Sequence, residues 1–252
     1  SGSHLIYDDR HVVFNISLSG QAGEERSLSN DWRRSLFVSP GLLDSMSDFN
    51  SIAPLYDTLS SLIFGKSIRS AQTQFLHYIR PESNVLILGG GTGWIITELL
   101  SVNPGCKVWY IEASAKMLEL SKKHLSETDN VVIIYGTEDS IPDNVIFDAV
   151  ITNFYLDLFS SDDCRRLVGK IATRINAKGV WLVSDFQNTT WWQSAMLNMM
   201  YGFFKIVAKV GTQSLPQWRE IFIERGFMEE RVRTFYANFI RSSVFQPIPE
   251  KL

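Results

Sequence analysis

The chain has 252 residues, 45% of them hydrophobic and 20% charged, ordinary values for a soluble globular protein with one substantial core. Its 24 basic and 27 acidic residues give a net charge of −3, which offers no electrostatic basis for a nucleic-acid partner. No run of about 18 apolar residues occurs, so no membrane-spanning helix is expected.

Taken from the start, Ser1-Gly2-Ser3-His4 has the character of a cloning remnant and is set aside. Residues 1–45 form an extension of unclear structure. Within it His11 to Leu18 alternates as a strand would, and Gln21 to Asn30 is polar and turn-like. The main domain is expected over residues 46–252, opening with helices over 46–80. Apolar residues at helical spacing (Ile52, Leu55, Tyr56, Leu59, Leu62 and Ile63, then Ile68, Phe75, Leu76 and Ile79) support this, with a break near Gly65.

From Val85 the pattern is regular. The apolar runs 85–88, 107–112, 131–135, 147–152 and 179–185 alternate with helical stretches at Gly93 to Leu100, Ser114 to Leu125 and Asp162 to Ile175. Short continuous apolar strands separated by helices predict a doubly wound α/β fold whose parallel sheet is covered on both faces. Residues 186–218 leave that sheet and are rich in Trp and Met. Trp191–Ala208 and Leu215–Arg225 have helical periodicity, the second stopped by Gly226. Met228 to Tyr236 and Ala237 to Phe245 read as an antiparallel hairpin. The two cysteines, Cys106 and Cys164, lie in no disulfide framework or metal-ligand spacing, so free thiols in a reducing cytoplasm and no metal are expected.

Gly89-Gly90-Gly91-Thr92-Gly93 follows the first buried strand and opens a helix. Glycines there permit positive φ and let backbone approach a ligand with no Cβ in the way. The dinucleotide pattern GxGxxG fails in both frames, because its third glycine would fall on Trp94 or Ile96. A phosphate loop would need Gly-Lys-Ser/Thr, which is absent. Glu112, about 20 residues beyond the loop at a strand end, is placed as an acceptor for two ribose hydroxyls.

The GxGxG spacing resembles motif I of the class I S-adenosylmethionine (SAM) dependent methyltransferases. That family implies a mostly parallel seven-stranded sheet with an antiparallel C-terminal strand, here with a helical cap. It also implies SAM as cofactor and S-adenosylhomocysteine as product. Motif I usually follows an acid in the first strand; Ile87 stands there instead. The resemblance places the cofactor on Gly89, Gly90, Gly91, Thr92, Gly93, Glu112 and Ala113. Thr137, Glu138 and Asp139 resemble the adenine-contacting segment, and Asn153 stands at a strand end facing the cofactor. Phe49-Asn50-Ser51-Ile52-Ala53-Pro54-Leu55-Tyr56-Asp57 resembles a segment of ubiquinone/menaquinone-biosynthesis-type methyltransferases, as does the Asp185-Phe186 pair.

On the acceptor side, Tyr155 and Asp157 after the fourth strand and Asp185 after the fifth are the candidate catalytic groups. Capping of the next helix is the competing role for Asp185. All four histidines (His4, His11, His77 and His124) fall outside the motifs. Tyr56, Trp192, Met199 and Phe203 are the candidate substrate residues, with 186–218 as a lid. The expected reaction is C- or O-methylation of a small, largely apolar or aromatic acceptor. The expected protein is cytoplasmic, without nucleic acid or stable membrane insertion, and with homodimer formation left open. Two alternatives stay open: a SAM-binding protein that transfers no methyl group, and a macromolecule methyltransferase.

Overall fold

A computed structural model describes residues 6–8, 11–14, 64–122, 130–208 and 215–248, with side chains over 64–122, 130–200 and 215–248. Tyr56 and most of the expected N-terminal helices lie outside the described residues, and Phe203 lies beyond the described side chains. The strands are β1 (Ile6–Asp8), β2 (His11–Phe14), β3 (Asn84–Leu88), β4 (Lys107–Glu112), β5 (Val131–Tyr135), β6 (Phe147–Asn153), β7 (Ile175–Phe186), β8 (Phe227–Phe235) and β9 (Ile240–Pro247). The described helices are α1 (Ser67–Thr73), α2 (Trp94–Val102), α3 (Ala115–Ser121), α4 (Ser161–Ala172), α5 (Trp191–Ala208) and α6 (Trp218–Glu224).

The strands form a single sheet of order β1-β2-β5-β4-β3-β6-β7-β9-β8. β5, β4, β3, β6 and β7 are parallel, while β9 and β8 add antiparallel at one edge. This is the expected Rossmann-like sheet of seven strands, extended by an antiparallel hairpin, β1–β2, on the outer side of β5. The chain winds outward from β3 to β5, then returns to lay β6 on the other side of β3. The strand order therefore reverses at β3, and ligands bind at such switch points, beyond the carboxyl ends of the strands.

The two faces of the sheet build two cores. Leu86, Leu88, Val150, Trp181, Val183 and Phe245 face α4 and α6, whereas Val85, Ile87, Val108, Tyr110, Ala149, Ile151 and Leu182 face α2 and α3. Continuous burial along β3 explains why its sequence does not alternate. α4 shows how local chemistry sets an element. The Ser160 hydroxyl accepts the Asp163 N–H at 3.1 Å as N-cap, Asp162 and Asp163 occupy the first turn, and Lys170 sits in the last. Its buried residues, Cys164, Leu167, Val168 and Ile171, recur at 3–4-residue spacing.

Three boundaries differ from the expected ones. Ile175 opens β7 rather than closing α4, and pairs with Phe147 ahead of a register shift; the polar Asn176-Ala177-Lys178 that follows hides the strand. α6 begins at Trp218 rather than Leu215, because Pro216 keeps the residue before it out of helical geometry. β9 begins at Ile240, since Tyr236, Ala237 and Asn238 all take positive φ and form the hairpin turn.

Candidate functional site

At the end of β3 the loop Gly89–Gly93 turns into α2. The Gly89 N–H donates to the Ile111 carbonyl at 3.0 Å, tying the loop to β4. Gly89, Gly91 and Gly93 take φ of +62°, +59° and +78°. A Cβ on Gly89 would overlap Cδ2 of Tyr155 and stand 2.9 Å from Cε2, so this residue is bare because another part of the protein fills the space. Gly90 is likewise closed off by the Tyr110 ring. Gly91 differs: among the described residues, a Cβ there would meet nothing within 4 Å. It is the loop glycine whose missing side chain faces open space, as a close ligand approach requires. Thr92, between the two, is buried.

Glu112 ends β4 beside this loop. Its Oε2 accepts the Gly91 N–H at 3.0 Å and its Oε1 accepts the Ser114 N–H at 2.8 Å. Burial pushes its carboxyl up to about 7, opposed by the Ser114, Gly91 and Ala113 N–H groups. The Tyr110 hydroxyl donates to the Gly91 carbonyl and holds the loop from below. Tyr110 lies in no motif; its one signal in the sequence is a phenol within the apolar stretch Val108–Ile111. Ala113, also buried, leads into Ser114, whose hydroxyl caps α3 by accepting the Met117 N–H at 3.2 Å.

On the far side of β4, Thr137 caps a single 3-10 turn, Glu138–Ser140. Lys170 pairs with Asp139 at 3.1 Å and donates to the Glu138 carbonyl at 2.8 Å. The Glu138 carboxylate instead accepts the Tyr155 hydroxyl at 3.2 Å, and burial raises its proton affinity. Tyr155 therefore spans from the loop at Gly89 to the turn at Glu138.

β6 ends at Asn153, one step beyond the pairing of Thr152 with Leu88. The Asn153 Nδ2 is buried and has no hydrogen-bond partner among the described residues, a costly state unless something else accepts from it. Asp185 is fully buried at 0% exposure. It shares a sheet face with Trp181 and Val183, which belong to the core under α4. Its Oδ2 accepts the Leu156 and Asp157 N–H groups at 3.0 and 3.3 Å, and its Oδ1 accepts the Phe186 N–H at 2.8 Å. It thus holds the turn after β6. Burial, then the charge of Asp157, raises the Asp185 carboxyl. Asp157, whose Oδ1 has no hydrogen-bond partner among the described residues, is raised by burial to about 7.

α5 lays Trp192, Met196, Leu197 and Met200 onto a cluster with Phe64, Phe154, Phe186 and Phe239. Phe154, at φ +51°, follows Asn153 and brings its ring to 4.8 Å from that of Phe186. The Trp192 ring lies 5.6 Å from Phe239. Met199 stands on the outer side of this helix at 58% exposure, as does Trp191 at 83%. The site thus brings together the glycine loop, Glu112, the Thr137–Asp139 turn, Asn153 and Tyr155, with a packed aromatic cluster beyond Asn153.

A family model described as a methyltransferase domain matches residues 85–179. Over 142 residues the chain is 25% identical to the malonyl-[acyl-carrier protein] O-methyltransferase of Priestia megaterium, covering 56% of this chain and 51% of that protein. The chain thus spans about half the length of that relative. It is also 25% identical over 212 residues to the protein of the same name from Halalkalibacterium halodurans, covering 75% of this chain and 74% of that protein. In the DhpI–S-adenosylhomocysteine complex structure the fold matches at a TM-score of 0.62, with 18% identity, over 84% of this chain and 100% of that one. These likenesses are to methyltransferases, and they do not carry the ubiquinone subclass.

Proposed function

Given that the chain carries the class I SAM-dependent methyltransferase domain, we propose that it moves a methyl group from SAM to an oxygen or carbon nucleophile of a small acceptor with a largely apolar or aromatic body. The observation that carries this reading is Gly91, open to space beside Glu112. The orphaned Asn153 amide at the neighbouring strand end adds to it. When bound, SAM supplies a methyl carbon already activated by a positive sulfur. Glu112 would accept the ribose hydroxyls, and the Thr137–Asp139 turn, braced by Tyr155, would border the adenine. The Asn153 amide would meet the amino-acid arm. Both relatives are O-methyltransferases, which favours oxygen as the nucleophile.

The residues beyond Asn153 would then align the acceptor and keep water out, the main task of an enzyme for in-line displacement. The half-buried Phe154, Trp192 and Met196, packed over the buried Phe186 and Phe239, would offer an apolar body its surface. Where the acceptor must lose a proton, Asp157, in the turn that follows Asn153 and with its Oδ1 unpartnered among the described residues, would be the base. Asp185 positions it through the backbone.

The test uses SAM labelled in its methyl group and a panel of phenolic, carboxylic and enolic small molecules. Label should pass to one acceptor class. Trp192→Ala should slow that transfer by about tenfold while S-adenosylhomocysteine affinity stays within about twofold, because the ring packs beside Phe239 in the aromatic cluster beyond Asn153. Equal loss of both would move Trp192 out of the acceptor surface. The second reading, a domain that binds SAM without transferring its methyl group, is favoured by Ile87 in place of the usual acid. It predicts S-adenosylhomocysteine binding with no transfer to any acceptor class.

A further inference from the structure

The amino-acid arm of SAM ends in a carboxylate, and the loop has few groups left to meet it. The Gly89 N–H is spent on Ile111, that of Gly91 on Glu112 and that of Gly93 on the Gly90 carbonyl. Ile87 removes the first-strand acid, so nothing on that strand orients the arm through its ammonium group. A cation close to the loop would supply the missing contact.

Arg69 is such a cation. Its guanidinium lies 5.0 Å from the ring centroid of Trp94, the first residue of α2 and the one directly after Gly93. The residue is exposed, and no carboxylate among the described residues forms an ion pair with it. Its helix is fixed rather than loosely laid down. Two residues on, the Ala71 carbonyl accepts the buried hydroxyls of Ser184 on β7 and Ser242 on β9, at 3.0 and 2.7 Å. An arginine resting on an indole face keeps its in-plane N–H groups free, and those groups match a carboxylate two at a time.

We propose that Arg69, stacked on Trp94, receives the carboxylate of the cofactor's amino-acid arm and so selects cofactors that carry one. The proposal rests on the SAM reading above. It makes Arg69 a specificity residue on the N-terminal helix, contributed from outside the glycine loop and the sheet.

The experiment is calorimetry of the full chain with two ligands: S-adenosylhomocysteine, which has the carboxylate, and 5′-methylthioadenosine, which shares the nucleoside but lacks the amino-acid arm. Arg69→Gln should weaken S-adenosylhomocysteine about tenfold and leave methylthioadenosine within about twofold. Arg69→Lys should recover part of the loss, since it restores the charge without the two-pronged geometry. The wild-type preference for S-adenosylhomocysteine should shrink as salt is raised. Equal weakening of both ligands would make Arg69 a structural support of the loop, and no change with either would remove it from the site; both results overturn the proposal. A wild-type protein that binds neither ligand would instead sink the SAM reading on which it rests.

Discussion

Alanine at Gly89 is expected to destabilise the protein by about 3 kcal/mol, whereas alanine at Gly91 should cost only about 1 kcal/mol yet abolish cofactor binding. Both residues have positive φ, so both substitutions carry the left-handed strain of a residue with a Cβ. They differ in what the new methyl group meets. At Gly89 it overlaps the Tyr155 ring, which is itself held by Glu138 and cannot retreat without leaving the core. At Gly91 it meets no atom of the described residues within 4 Å and projects into the space assigned to the cofactor. Thermal unfolding and titration with S-adenosylhomocysteine separate the two effects. A folded Gly91→Ala variant with unchanged affinity would mean that the open space beside the loop is not where the cofactor lies.

Replacing Glu112 by alanine should weaken SAM by about 1–3 kcal/mol, roughly 5- to 150-fold in Kd. The ribose hydroxyls would lose a charged acceptor, and the Gly91 and Ser114 N–H groups would lose theirs. The pH dependence isolates the charge. With its folded proton affinity raised from the ordinary 4.5 to about 7, Glu112 holds a proton in the folded protein that the unfolded chain releases between those values. The free protein should therefore lose stability as pH rises from about 4.5 to about 7 and level off above. Asp157 and Asp185 act in the same direction. Hydroxyl donors favour the ionised carboxylate, so SAM affinity should fall as pH drops below about 7. In Glu112→Gln both slopes should flatten. Affinity that follows the wild-type pH profile in that variant would place the titrating group elsewhere.

The central strands were legible because both of their faces are covered. Val85–Leu88 and Val131–Tyr135 are nearly continuous apolar runs, and such runs between helical stretches specify a parallel sheet. The loop was legible for a related reason, since only glycine serves where a ligand or another ring comes close. That Gly89 makes room for Tyr155 while Gly91 faces open space is invisible in the sequence, because both needs select the same residue. The direction of Asp185 was hidden as well. Residues on both faces of β7 are buried from Val180 to Phe186, so hydrophobic parity does not say which face an acid at 185 takes. α5 posed the same difficulty in helical form. Trp191, Trp192, Met199 and Met200 sit on several sides of the helix, and only packing separates the half-buried Trp192 from the exposed Trp191.

The account turns on what the space beside Gly91 holds. Isothermal titration of the full chain with S-adenosylhomocysteine and, separately, with NAD tests this most directly. The account predicts micromolar or tighter binding of S-adenosylhomocysteine, lost in Gly91→Ala, and no detectable heat with NAD, because the third glycine of a dinucleotide loop is replaced by Trp94 or Ile96. Binding of NAD without binding of S-adenosylhomocysteine would contradict it.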